Sequence, residues 1–133
     1  MVDLFNDFAT DETREVEGVW FEYAGDVSFL IARAGNKAYA RTFLKLYDQS
    51  RRILATKGQA ADEKAEEITI NSLAKSILLN WKGDLKYKGE ALPYSEMNAR
   101  KILAHLDFRK WVVERSEDMA KFKVVQDEED EKN

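Results

Sequence analysis

Gly35, Asn36 and Lys37, in the run IARAGNKAYAR, are the first residues whose types and spacing invite a chemical reading. A glycine joint leading into a helical pattern is how many phosphate cradles begin. Such a cradle uses several glycines so that backbone amides converge on the anion, usually with a lysine followed by serine or threonine. One glycine followed by Asn-Lys-Ala-Tyr is instead a strand-to-helix corner. His105 is the only histidine and there is no cysteine, which removes multi-histidine and thiolate metal sites and any histidine–cysteine pair. Its neighbours Leu103, Ala104 and Leu106 give it a structural reading at a helix end. A general acid–base pair needs one carboxyl raised in pKa by an apolar setting, whereas most carboxylates here lie in polar runs such as DEKAEE and RSEDMAK. The acidic ending lacks the glycine and alternating ligands of a calcium loop. We assign no catalytic, cofactor-binding or metal-binding residue and expect a protein that is not an enzyme.

What remains is binding chemistry. Lys37, Arg41 and Lys45 recur every four residues and form a basic ridge on one helical face. The ridge suits an acidic protein surface or a phosphate backbone; a pI near 5.2 and acidic flanks disfavour nucleic acid. Trp20 falls on the strand face opposite Val19 and Phe21, and Tyr87 and Tyr94 flank a turn, so these aromatics are candidates for partner contact. Trp81 and Trp111 lie on apolar stripes and read as core.

The elements that must position these residues can be drawn from periodicity. Residues 1–13 read as an arm lying on the body through Leu4, Phe5 and Phe8. Residues 14–23 and 27–33 read as two strands of a hairpin around AGD, with Val19, Phe21, Tyr23, Val27, Phe29 and Ile31 on its covered face. Asn36 caps a helix over 37–56 with a stripe of Ala40, Phe43, Leu44, Tyr47 and Leu54, which Lys57 and Gly58 stop. Asp62 is placed to cap a second helix, whose stripe Ile70, Leu73, Ala74, Ile77, Leu78 and Trp81 runs to Gly83. A loop follows. Ser95 then starts a short helix burying Ala99, Ile102, Leu103 and Leu106, and Asp107 starts a last one with Phe108, Trp111, Val112, Met119 and Phe122 inward. The expected fold is mainly α, an N-terminal β-hairpin packed on about four helices in a single domain, with α+β as the neighbouring class. Residues 1–125 form the globular part and 126–133 an acidic disordered tail.

Composition sets the class. With 133 residues, 44% hydrophobic and 35% charged, the chain is long enough for one ordinary core under a heavily charged surface. The net charge of −4 hides a segregation: both ends are acidic, while residues 33–57 carry seven cations against Asp48 alone. Neither a secretory leader nor a membrane span is expected, and the absence of cysteine points to a cytoplasmic setting.

The punctuation Gly18, Trp20, Arg33, Gly35, Asn36, Trp81, Gly89, Pro93, Tyr94, Ser95, Asn98, Leu103 and Phe108, spread over residues 17–118, resembles that of the tail assembly chaperones of long-tailed bacteriophages. The resemblance implies a non-catalytic protein that binds the tape measure protein, keeps it soluble and helps recruit tail tube protein during assembly. It further implies a longer frameshifted form that engages the tube protein, self-association, and a place in the host cytoplasm but not in the mature virion. No membrane is involved on this reading. The alternative is a small nucleic-acid-associated regulator using the Lys37, Arg41 and Lys45 ridge.

Overall fold

A computed structural model of the protein describes residues 1–123, so the acidic tail expected at 126–133 lies outside the described residues. The chain runs α1 (Leu4–Phe8), α2 (Glu12–Glu17), β1 (Val19–Ala24), β2 (Val27–Ile31), α3 (Lys37–Gln49), α4 (Arg51–Ala55), α5 (Gln59–Ser76), β3 (Leu78–Lys82), β4 (Lys86–Tyr87), β5 (Glu90–Ala91), α6 (Glu96–Leu103), α7 (Leu106–Ser116) and α8 (Met119–Phe122). The helix-dominated α+β class agrees with the sequence reading. Several elements do not.

The hairpin is shorter than expected at its start. Residues 12–17 are helical because the Asp11 carboxylate accepts hydrogen bonds from the amides of Thr13 and Arg14, the cap that a helix start requires. Gly18, at φ 86°, then ends the helix and turns the chain into β1. From there the alternation holds for Phe21, Val27, Phe29 and Ile31, which are buried, and Trp20 faces out; Val19 is half-buried, and Tyr23, expected on the covered face, is 55% exposed with its ring edge-on to Phe29 and Trp111. β1 and β2 pair antiparallel with Phe21 opposite Phe29.

The largest departure lies at residues 78–82. Their apolar spacing continues the helix of α5, yet they form β3, which pairs antiparallel with β2 and makes the sheet three-stranded in the order β1-β2-β3. The register slips between Leu30 and Ile31: Ile31 opposes Leu78, but Leu30 opposes Asn80, leaving Leu79 as an extra residue. Such a bulge puts two residues against one. Leu78 and Trp81, three apart, therefore both face the core, and a three-residue spacing is what a helix would also show. Gly83 ends this strand, not a helix.

The other corrections are local. Residues 84–95 are more than a loop, since β4 and β5 make a small hairpin turning through Lys88 and Gly89, both at positive φ. The helix over 37–56 breaks at Ser50 into α3 and α4. Its inward face is Tyr39, Thr42, Phe43 and Leu46; Ala40, Leu44 and Tyr47 are exposed. α5 starts at Gln59 behind Gly58, three residues before Asp62, which makes no side-chain cap. Leu106 is exposed, and the last helical stretch divides into α7 and α8. In the arm, Leu4, Phe5 and Phe8 are 68%, 64% and 64% exposed, so α1 does not lie on the body through them.

One core serves all these elements. Phe29 is its centre, with its ring against those of Tyr23, Trp81, Phe108 and Trp111 at centroid distances of 5.3–6.0 Å. Trp81 is buried and donates its indole N–H to the Leu92 carbonyl at 2.8 Å; Trp111 is half-buried at the edge, under Arg115. Small residues Ser72, Ala74, Ser76 and Ala99 let α5 approach its neighbours closely. The chain ends of the fold are joined through Arg33, whose guanidinium donates to the Ser116 carbonyl and lies over the Phe122 ring. The Asp11 amide donates to the Phe122 carbonyl at 2.7 Å.

Candidate partner-binding surface

Five elements converge on a cavity of about 220 Å³, lined by Tyr23, Phe29, Leu85, Lys86, Tyr87, Leu92, Ile102, His105 and Phe108. β1 and β2 supply Tyr23 and Phe29 from the end of the sheet. The β4–β5 hairpin carries Tyr87 over one side, and the joint between α6 and α7 supplies Ile102, His105 and Phe108. The Tyr87 hydroxyl lies 2.7 Å from His105 Nε2, with the rings 5.6 Å apart edge to face, which fixes the hairpin over the helix joint. Small-molecule sites occupy roughly 300–1,000 Å³. This cavity is too small for that class and matches one or two side chains of a polypeptide.

No carboxylate lines the cavity, and one lysine does. Lys86 is in the wall, and the ammonium groups of Lys88 and Lys101 lie 5.7 and 5.6 Å from the centre of the Tyr87 ring. None of the three makes an ion pair among the described residues.

The sequence candidates fall into separate places. Tyr87 is part of the cavity wall. Tyr94 is not: it stands edge-on to Trp81 at 5.0 Å, and burial, reinforced by the Glu96 carboxylate, holds its phenol above the usual pKa of 10. Trp20 is on the outer face of the sheet with the Lys82 ammonium 4.4 Å from its ring. Lys37, Arg41 and Lys45 follow one another along α3 as the spacing predicts. Arg41 and Lys45 border a cleft of about 340 Å³ with Ala38, Thr42, Lys75 and Ser76. A neighbouring hollow of about 310 Å³ adds Asn71, Glu96 and Arg100 to Lys45 and Lys75. α3 also carries a stacked ladder of Tyr39, Phe43 and Tyr47, and burial raises the Tyr39 phenol above its usual pKa.

Sequence reasoning passed over Tyr23, Leu85, Lys86, His105 and Phe108 as site residues, and Lys75 and Arg100 in the cationic cleft. They come from elements far apart in the chain, so no spacing links them. The nearest signal was the lysine-aromatic alternation at residues 86–88, beside a glycine turn. Among the described residues no group of three or more histidine, cysteine, aspartate or glutamate side chains is placed to hold a metal, and no helix is long and apolar enough to cross a membrane.

No curated protein and no solved structure matches this chain. A model of the YdaY prophage protein family matches residues 34–133, a stretch that begins just before α3 and includes the β4–β5 hairpin, α6 and α7 but not the arm or the first hairpin. With that match spanning most of its length, the chain is a phage-related protein and belongs to the YdaY prophage protein family.

Proposed function

We propose that this protein is a tail assembly chaperone, acting by reversible protein binding without catalysis. Its clients are the tape measure protein, which it keeps soluble, and tail tube protein, engaged through a longer frameshifted form. It acts in the host cytoplasm and leaves the assembly before the virion matures. Three things support the reading: the phage family, the likeness in motif order, and above all the apolar face that α1 presents to solvent. Leu4, Phe5, Phe8, Leu44, Tyr47, Ile53, Tyr94, Met97 and Leu106 are all exposed. Three of them, Leu4, Phe5 and Phe8, share one face of the short helix α1, and it is such grouping, not singly scattered apolar residues, that marks a contact surface. The cavity beside Tyr87 is the part shaped to receive a side chain.

Co-expression with the tape measure protein encoded nearby tests this. The expected result is a rise in soluble client and co-purification of the two; an insoluble client and no complex would remove the reading.

The cationic cleft favours one second reading, a nucleic-acid-associated regulator. Lys37, Arg41, Lys45 and Lys75 make no ion pair among the described residues, as a phosphate-binding surface requires. Its mark is binding to DNA or RNA that weakens steeply with salt and is lost when those charges are reversed.

A further inference from the structure

The arm and the cavity are complementary. α1 presents Leu4, Phe5 and Phe8 to solvent and buries none of its residues. Positions 4, 5 and 8 share one helical face. Asp3 and Asp7 flank that apolar face; Asp3 also accepts the Phe5 amide as the helix cap. An exposed apolar helix edged with carboxylates therefore stands at one place on the molecule. At another stands an aromatic-walled cavity of side-chain size, lined by Lys86 and no carboxylate, with the ammonium groups of Lys88 and Lys101 by the ring of its wall residue Tyr87.

We propose that the cavity beside Tyr87 takes α1 of a second copy of this chain, with Phe5 or Phe8 inserted between Tyr23, Tyr87 and Phe108 and the arm carboxylates against the lysines. In one copy the arm is anchored where Thr10 pairs with Lys123 and the Asp11 amide meets the Phe122 carbonyl. Residues 1–9 project from that anchor with their apolar side chains uncovered. The contact is head to tail: arm and cavity are different surfaces, so pairing repeats from copy to copy until it closes into a ring or stops. It is also small. Phe5 and Phe8 bury roughly 150–250 Å² each on the arm's side and Leu4 less, together short of the roughly 800 Å² per partner of a standard interface, so the pairing is reversible. It occupies the cavity that the chaperone reading gives to a client, and in that respect rests on it.

The test uses purified chain and no client, so its failure and that of the chaperone reading are read separately. Sedimentation of the full chain should show concentration-dependent association, no tighter than about micromolar. A fluorescent peptide of residues 2–10 should bind in the same range. Phe5→Asp with Phe8→Asp should abolish self-association; all the exchanged side chains, including the three lysines, are on the surface, so circular dichroism should stay unchanged. Lys86→Glu, Lys88→Glu and Lys101→Glu together should weaken peptide binding at least ten-fold, and a peptide carrying Asp7→Lys should regain much of that loss. Binding indifferent to the lysine reversals would overturn the proposal. So would a chain that stays monomeric and admits the peptide only after residues 1–9 are deleted, because the arm would then fill its own cavity. A peptide that binds neither chain would also overturn it.

Discussion

Gly83 and Gly89 both adopt positive φ, at 96° and 83°, but their surroundings differ. A methyl group at Gly83 would overlap the Asp26 carbonyl oxygen and crowd Val27, where the end of β3 passes the β1–β2 turn, while nothing lies within 4 Å of one at Gly89. Gly89→Ala therefore meets only the left-handed backbone cost, about 1–2 kcal/mol. Gly83→Ala adds backbone overpacking worth about 1–3 kcal/mol and has no flexible neighbour to give way. Urea unfolding of the two variants should place Gly83→Ala clearly below Gly89→Ala. Equal losses would mean that β3 does not pass the first turn this closely. The contrast bears on binding, because the same two glycines bound the segment that carries Lys86, Tyr87 and Lys88.

Caps show how the elements are tied to the core. Asn36 Oδ1 accepts the Tyr39 amide at 3.0 Å to start α3, while its amide group donates to the Arg33 carbonyl at 2.8 Å and the Ser76 carbonyl at 3.3 Å. Ser95 makes only the cap bond, its hydroxyl accepting the Asn98 amide at 3.0 Å to start α6. Ser95→Ala should cost about 1 kcal/mol. Asn36→Ala also takes the side-chain donor from the buried Ser76 carbonyl, while the Arg33 carbonyl keeps the Asn36 backbone amide, for a total of about 2–3 kcal/mol. Thermal melts of both variants check the order, and an equal shift would show that the bonds to Arg33 and Ser76 contribute nothing. Both caps were legible in the sequence because a cap is a local bargain between one side chain and the next three amides. The hairpin alternation of β2 was legible for a similar reason: neighbours on one strand decide it. β3 was not, because its inward residues 78 and 81 keep a helix-like spacing only through the bulge at Leu79, and the bulge is defined by its partner β2, some fifty residues earlier. The same holds for the cavity. Tyr87 could be suspected as an aromatic beside a turn, but its pairing with His105 and the facing wall of Tyr23, Phe29 and Phe108 exist only once sheet and helices have closed on one another.

At the scale of the whole molecule, charge and apolar surface are sorted together: the acidic end carries an uncovered apolar helix, and the cavity with Lys86 in its wall lies between the β4–β5 hairpin and the core. If the cavity is shared between an arm and a client, the arm is a competitor. Competition has a sign. A chain lacking residues 1–9 loses no buried side chain and keeps Thr10 and Asp11, and so its pairing with Lys123 and Phe122. Its stability should change by no more than about 0.5 kcal/mol, as for surface changes generally. Its cavity is then open in every copy. The competent fraction sets apparent affinity, so removing an occupant that fills nine cavities in ten strengthens client binding about ten-fold. The full-length chain should approach the truncated one on dilution below the self-association range, where arms dissociate. Fluorescence anisotropy of a labelled tape measure fragment, titrated with each chain at low and high concentration, measures both effects. A truncated chain that binds the client more weakly would show the reverse relation: the arm's Leu4, Phe5 and Phe8 would themselves be client contacts, and the apolar end of the molecule would work with the cavity instead of against it.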